Sequence, residues 1–489
     1  MRSPLLLLSL VLVVLPLRHG EAGADYGQAL NKALLFFEAQ RSGKLPPNQR
    51  VQWRGDSALD DGHSTGDDLV GGYYIDGDNV KYSFPMAFTV TMLAWSVVEY
   101  SNELQTSNEL SHAMEAIRWG TDYFIKAQPK DTVLYAVVGD PILDHACWER
   151  PEDMTTSRQA YRIDEAHPGA DLAGETAAAL AASSMVFKSS DSTYALLLLD
   201  HAKRLFYFAR DHRGVYSQTV GGYDLYASTD DKDEMLWAAA WLYRASGDPV
   251  FIDYMRHNED NGGVKKYFSW DEKFPGVQAL VSMFLLQGRV TEEPYWDAFR
   301  SNVETLLCQY IQKSGTSNAR TTPGGLLWLN PWINLQYIST ASFLLTVYSD
   351  FLSTARGGPR SLMCPAGQVQ PSELLSFARS QVDYILGTNP KAVSYMVGYG
   401  SSYPWHVHHR GASIVSVKKD PTPVGCEDGL KIWFDNTGPD PNVIDGGVVG
   451  GPDENDAFGD NRSLMAQSQP AIYTTAPLVG VLAKLATMK

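Results

Sequence analysis

The chain has 489 residues, a formal net charge of −16 at pH 7 and 44% hydrophobic residues, enough for a sizeable buried core. The acidic balance excludes a phosphate-binding surface, because nucleic-acid binding draws its affinity from Lys and Arg neutralising phosphates; no nucleic acid partner is expected, and neutral polymers stay open. Twelve Trp and twenty-five Tyr supply flat faces that pack in a core or stack on sugar rings.

At the start, Arg2, a Leu- and Val-rich run from Leu5 to Leu17, and Ala22-Gly23-Ala24 read as a secretory signal peptide over 1–24, cut after Ala24. That run is short for a membrane span, and no later window approaches eighteen unbroken apolar residues. The reading is a soluble secreted protein with no membrane partner and a single mature domain over 25–489, an uncleaved anchor being the alternative. Cys147, Cys308, Cys364 and Cys426 allow three pairings in an oxidising compartment and show no metal-type Cys-x-x-Cys spacing. Cys308–Cys364 is favoured, since it would close the loop and helix between two helical segments.

Hydrophobic spacing predicts helices along the whole mature chain. Tyr26, Leu30, Leu34 and Phe37 recur every three to four residues; Met86 to Tyr100 is apolar almost all round; Ser111 to Ala127 follows; and Ala173 to Phe187 is a small-residue helix suited to close packing. Further helices are predicted over Ser192–Arg213, Asp233–Ser246, Val250–Asn258, Gly276–Gln287, Pro294–Gln312, Asn334–Ser353, Ser372–Leu386 and Pro477–Met488, with Gly214, Gly247 and Gly387 marking stops. Strand signals are confined to Val133–Val138 and, more weakly, Val215–Tyr226. No linker or low-complexity tract divides the chain. About a dozen helices in one domain suit an all-α, (α/α)6 barrel, and helix count alone serves a solenoid equally, although no repeat is visible.

Four segments carry candidate chemistry. In Gly71-Gly72-Tyr73-Tyr74-Ile75-Asp76-Gly77-Asp78-Asn79, two acids flank one glycine on a loop anchored by aromatics and leading into a buried helix. Read plainly, it is a turn or a calcium-loop fragment lacking its later Glu; read chemically, it is an acid–base loop. Tyr403-Pro404-Trp405-His406-Val407-His408-His409-Arg410 places three His within four residues. Their spacing is not that of a helical zinc site and no acid or Cys lies close by, so no metal is assigned. Trp237, Trp270, Trp328 and Trp332 sit at loop–helix junctions; a lone Trp is more often core than platform, and several together shift the balance toward a cleft. The fourth segment runs from Phe458-Gly459-Asp460-Asn461-Arg462-Ser463 to Met465 and Ser468-Gln469-Pro470, and Asn461-Arg462-Ser463 is an N-glycosylation acceptor.

The last segment resembles the C-terminal signature of family 9 glycoside hydrolases, the plant endo-β-1,4-glucanases, which reads aromatic-x-Asp-x4-aromatic-x3-Glu-x-small-x3-Asn-small. Phe458, Asp460, Ala471 and Ala476 fit, whereas Met465 stands where an aromatic, Gln469 where the proton-donating Glu and Thr475 where an Asn is expected. The first segment is similar to the family's Tyr-Tyr-Asp-Ala-Gly-Asp-Asn, and the second to its signature ending in His-x-Arg, with Ser402 a mild departure. Cys147 to Met154, Asp171 to Ala179 and Asn442 to Asp453 extend the likeness, so it runs from Tyr26 nearly to the C-terminus.

The resemblance makes the (α/α)6 barrel with an open cleft the expected fold. It implies a secreted, monomeric cell-wall endoglucanase that takes a β-1,4-glucan and needs no cofactor. It assigns Asp78 as the base that activates water, Asp460 as the group orienting that water, His408 and Arg410 as hydrogen-bond donors in the cleft, and Trp270, Trp332, Trp237 and Tyr74 as sugar contacts. The family's first Asp, which helps hold the water, falls on Ile75, and Asp76 takes the neighbouring alanine position. Family 9 enzymes invert, which needs two carboxyl groups roughly 6.5–9.5 Å apart, one protonating the leaving oxygen and one deprotonating water. Gln469 has no proton to donate, because an amide is not an acid. Weak or absent turnover is therefore expected, the alternative being a non-catalytic β-glucan-binding wall protein.

Overall fold

The computed structural model describes residues 23–220, 225–258 and 260–488. The leader predicted over 1–24 thus lies outside the described residues except for its last two positions. Twelve helices build the body: α1 Tyr26–Ala39, α2 Ser83–Thr106, α3 Leu110–Ala127, α4 Ala170–Phe187, α5 Ser192–Asp211, α6 Lys232–Ser246, α7 Pro249–His257, α8 Phe274–Leu286, α9 Pro294–Tyr310, α10 Asn334–Ser353, α11 Pro371–Ile385 and α12 Ile472–Thr487. Even-numbered helices close a ring, since α2 packs on α4, α4 on α6, α6 on α8, α8 on α10, α10 on α12 and α12 back on α2. Odd-numbered helices clad it, α3 lying on α2, α5 on α4, α7 on α6, α9 on α8, α11 on α10 and α1 on α12. This is an (α/α)6 barrel.

The two rings follow from composition. Every residue of α8 is buried, and α4 is buried all round apart from Met185. Outer helices such as α3 bury one stripe, through Ala113, Ile117, Gly120, Tyr123 and Phe124, as an amphipathic surface helix does. Small residues on α4 allow its backbone to approach α6: a Cβ on Gly174 would sit 3.0 Å from the Glu234 carbonyl oxygen.

The helix reading from periodicity matches in all twelve cases, with ends shifted by a few residues. The largest shifts are at α2, which runs on to Thr106 rather than Tyr100, and at α12, which starts at Ile472 rather than Pro477. Proline fits the first turn of a helix because its missing N–H would be unpaired there anyway, so Pro477 read as a start; the helix instead continues one turn ahead of it. The predicted strand at Val133–Val138 is β2 (Leu134–Val138), central in an antiparallel sheet between β1 (Lys81–Tyr82) and β3 (Ala160–Ile163). The weaker strand signal fails: Tyr216–Thr219 is a helical turn, and 221–224 lie outside the described residues.

Cys308 pairs with Cys364, tying the end of α9 to a short hairpin (β4, Leu362–Cys364; β5, Gly367–Val369), and Cys147 pairs with Cys426 across 279 residues. Loop-closure entropy for the 56-residue separation of Cys308 and Cys364 gives about 4 kcal/mol of stabilisation. Cys308→Ser/Cys364→Ser is therefore expected to lose about that much in urea unfolding. An unchanged midpoint and slope would contradict it.

Candidate active site

The loops that enter the inner helices supply the site. Residues just ahead of α2, α6, α8, α10 and α12 converge on one cavity of about 310 Å³, lined by Asp76, Asp78, His145, Tyr226, Trp270, Trp332, Tyr337, Met465, Gln469 and Tyr473 among others. With the segment that carries His145, six separate stretches of chain thus meet at one end of the barrel.

The acidic loop ahead of α2 is anchored on its apolar side. Tyr73 and Ile75 are fully buried in the core, the Tyr73 hydroxyl donating to the Ala116 carbonyl at 2.7 Å. Gln40 Nε2 donates to the Asp76 carbonyl at 2.7 Å and fixes the turn. At Gly77 the loop has no room for a side chain, since a Cβ would lie 2.1 Å from the His408 carbonyl oxygen. The loop through His408 crosses there, and Arg410 N donates to Gly77 O at 3.2 Å.

Arg410 sets the charge of Asp78. Its guanidinium is buried and donates to the Asp78 carboxylate, to Gly77 O at 3.0 Å, to Cys147 O at 2.9 Å and to Asp144 O at 2.7 Å. Burial acts to raise the Asp78 carboxyl, yet the Arg410 charge, joined by His145 and His408, overrides it and holds the group well below the usual carboxylate range. His145 Nδ1 lies 4.0 Å from Asp78 Oδ2, and that interaction raises the imidazole. Asp76 behaves oppositely: burial and then the Asp78 charge push its carboxyl up to about 7. Its Oδ1 accepts from Asp78 N at 2.9 Å, and its Oδ2 accepts from the Tyr226 hydroxyl. Tyr226 is held in left-handed backbone (φ 60°), its own carbonyl accepting from the Tyr216 hydroxyl.

Gln469 precedes α12 and faces the same cavity; among the described residues its side-chain amide makes no hydrogen bond. Trp270 and Trp332 also line the cavity, Trp332 being half exposed. Trp270 is carried by the barrel interior: its carbonyl accepts from the Lys273 ammonium, which pairs with Glu175 at 3.3 Å and Glu234 at 3.1 Å inside the ring.

Other sequence-assigned residues fall elsewhere. Trp237 is fully buried, packed between Trp95, Trp241 and Phe268 with its indole N–H 3.3 Å from Glu175, so it has no face to offer a sugar. Tyr74 is likewise buried, its hydroxyl 2.9 Å from Ser57 Oγ. Arg410 spends its donors on Asp78 and three carbonyls rather than on the cavity. His408 is buried against Trp148, with Nδ1 at 2.9 Å from Arg462 O, and burial pushes its imidazole down to about 4. Asp460 lies in a separate hollow of about 360 Å³, accepting from Trp405 N at 3.0 Å and from His406 N at 3.0 Å. The three clustered imidazoles turn to three partners, His406 to Asp460, His408 to Arg462 and His409 to Gln40 at 2.7 Å. Thr475 Oγ1 accepts from Val448 N at 3.2 Å and is buried.

Sequence reasoning missed His145, Tyr226 and Tyr473 as lining residues. His145 ends a one-turn helix, Pro141–His145, capped by Asp140, and its signal was its place two residues ahead of the Cys147-Trp148-Glu149-Arg150 stretch. Tyr226, in the loop ahead of α6, and Tyr473, in the first turn of α12, carried none beyond being aromatic.

A barrel whose helix-entry loops gather an ionised carboxylate, a second carboxyl and two tryptophans, one half exposed, around one open cavity belongs to the glycosidase class. The chain matches glycosyl hydrolase family 9 over residues 26–482 and belongs to that family. Among curated relatives it is 55% identical to Endoglucanase 15 of Arabidopsis thaliana over 95% of this chain and 94% of that one, and 53% identical to Endoglucanase 13 of the same plant over 97% and 96%. Among solved structures, the endoglucanase of the termite Nasutitermes takasagoensis is 38% identical and superposes with a TM-score of 0.82 over 94% of this chain and 98% of that one. The cellulase Cel9M of C. cellulolyticum in complex with cellobiose is 30% identical, with a TM-score of 0.80 over 94% and 98%.

The two tryptophan environments separate in stability. Trp237→Ala is expected to cost about 3–5 kcal/mol, as large-to-small core changes do, whereas Trp332→Ala should fall within about 0.5 kcal/mol of the parent, as surface changes do. Thermal unfolding of the two variants checks this, and equal losses would overturn the assignment.

Proposed function

We propose that the protein is a secreted, cell-wall β-1,4-glucan protein of the endoglucanase type whose hydrolysis, by inversion, is limited on the acid side by Gln469. The observation carrying this reading is that Gln469 shares its cavity with Asp78. Asp78, kept ionised by Arg410, serves as the base that takes a proton from water. His145 stands beside it, and Trp270 and Trp332 offer faces for glucose rings. Binding of a β-1,4-glucan is supported by relatives solved with cellobiose and cellotriose. Asp460 holds the Trp405–His406 turn in this reading and takes no part in orienting the water.

An amide has nearly the shape of the acid and can hydrogen-bond the bridging oxygen, but it cannot protonate a departing sugar hydroxyl. A positioned general acid contributes on the order of 10²–10⁴ in rate. Gln469→Glu is therefore expected to raise release of reducing ends from carboxymethyl-cellulose by on the order of 10²–10⁴ over the wild type. Equal rates for the two proteins would refute the acid-side reading. The second reading, a non-catalytic glucan-binding protein, is favoured by the same cavity; calorimetry with cellohexaose should then give an affinity in the wild type that Trp332→Ala weakens several-fold. Heat of binding absent from both would sink it.

Secretion has one further consequence. No helix among the described residues is long and apolar enough to cross a membrane. Asn461 is exposed, its Oδ1 accepts from Ser463 N and Oγ at 2.9 Å, and its amide nitrogen makes no protein hydrogen bond among the described residues. Protein recovered from a plant secretory route is expected to carry one N-glycan at Asn461, lost in Asn461→Gln; an intact mass equal to the bare polypeptide would contradict this.

A further inference from the structure

We infer that Asp76 is the second carboxyl of the water-activating side, holding the attacking water jointly with Asp78 and switching that side on as it loses its proton. The inference rests on reading Asp78 as the base of a β-glucan site.

Position 75 contributes nothing to the cavity, because the Ile75 side chain is buried in the core and its carbonyl accepts from Ile472 N at 2.8 Å. The next residue does contribute: Asp76 lines the cavity together with Asp78. A carboxylate offers about four acceptor positions, and protein groups take one on each Asp76 oxygen, Asp78 N and the Tyr226 hydroxyl. The carboxyl is thus held from two sides with acceptor capacity left over. Two carboxyls two residues apart on one tight loop do not both ionise freely, because like charges at close range disfavour each other. Arg410 stands against Asp78 and decides which one carries the charge. Below about pH 7 the pair therefore holds one proton, and it resides on Asp76. The other titrating or charged groups facing Asp76 are Arg410, His145, Tyr82, Tyr226 and Tyr473.

The protonation state matters for the chemistry. As the water oxygen bonds to the anomeric carbon, the bond to the leaving group breaks with its electron pair and one water proton passes to Asp78. Ionised Asp76 accepts a hydrogen bond from the other water O–H and leaves the attacking lone pair free. Protonated Asp76 keeps only a neutral, weaker acceptor for that O–H, and its own O–H donates to the water oxygen and occupies a lone pair the attack needs.

A substrate whose leaving group needs no proton isolates this side from Gln469. β-Cellobiosyl fluoride meets that need: fluoride departs with its electron pair, and an ion-selective electrode follows it from pH 4 to 9 with the full-length protein. For the wild type, release should climb through an inflection near 7, where Asp76 titrates. Asp76→Asn should abolish the inflection and cost on the order of tenfold in rate above it. Tyr226→Phe removes a hydrogen bond that favours the ionised carboxyl, so its inflection should move to higher pH. An Asp76→Asn profile that keeps the inflection, or a Tyr226→Phe profile that leaves it in place, overturns the inference while the base reading survives. No enzyme-dependent fluoride release by the wild type overturns the base reading, and this inference with it.

Discussion

The buried pair between Arg410 and Asp78 is the contact on which the site depends. Taking two charges out of water costs several kcal/mol per ion, and the pair survives because every direction around the guanidinium is filled. Arg410 reaches Gly77 on the acidic loop, Asp144 and Cys147 on the His145 segment, and Asp78 itself, so one side chain fastens three loops. Trp148 lies 4.8 Å from the guanidinium and donates its indole N–H to Ser413 Oγ at 2.9 Å, while the Cys147–Cys426 disulfide anchors the same segment from outside. The shape of the acidic loop and the charge of Asp78 thus have one cause.

The same economy holds inside the barrel. Lys273 faces Glu175 and Glu234, and its backbone N donates to Asp233 at 2.5 Å, so one cation sits among three acids. Burial and then the Asp233 charge hold Glu234 well above its ordinary value, which keeps a proton in the cluster and relieves the imbalance. Because the Lys273 ammonium also takes the Trp270 carbonyl, this interior network fixes a wall of the cavity. A polar cluster deep in the ring and an aromatic face at its mouth are therefore one construction.

The fold was legible because its signal is repeated. Twelve helices with apolar stripes or all-round apolar faces each announce themselves by period, and errors stayed at the ends, as with Pro477. The site was legible only as segments. Asp78, Gln469, Trp270 and Trp332 meet in one cavity, but neighbouring loop residues point in opposite directions, and spacing does not say which faces inward: Ile75 turns to the core and Asp76 to the cavity. Arg410 was placed in the cleft by the likeness of its segment to the family's His-x-Arg signature, whereas its guanidinium is taken up by Asp78 and by carbonyls contributed from positions more than 260 residues away. Trp237 went to the core for the ordinary reason that a large apolar ring ahead of no open loop is buried. The Cys147–Cys426 pair, 279 positions apart, followed only as the complement of Cys308–Cys364.

The asymmetry between the two halves of the site has a thermodynamic meaning. Interactions that are equal in bound substrate and transition state change affinity, and only those stronger in the transition state change rate. An amide at 469 can donate a hydrogen bond to the bridging oxygen in the ground state, but it has no proton to release as that oxygen gains charge. On the opposite side, Arg410 keeps Asp78 charged whether or not a ligand is present. Under the proposed function, such a site would keep the contacts that hold a glucan chain and lose the one that grows as the bond breaks, which would make binding and turnover separable by a single atom type at position 469.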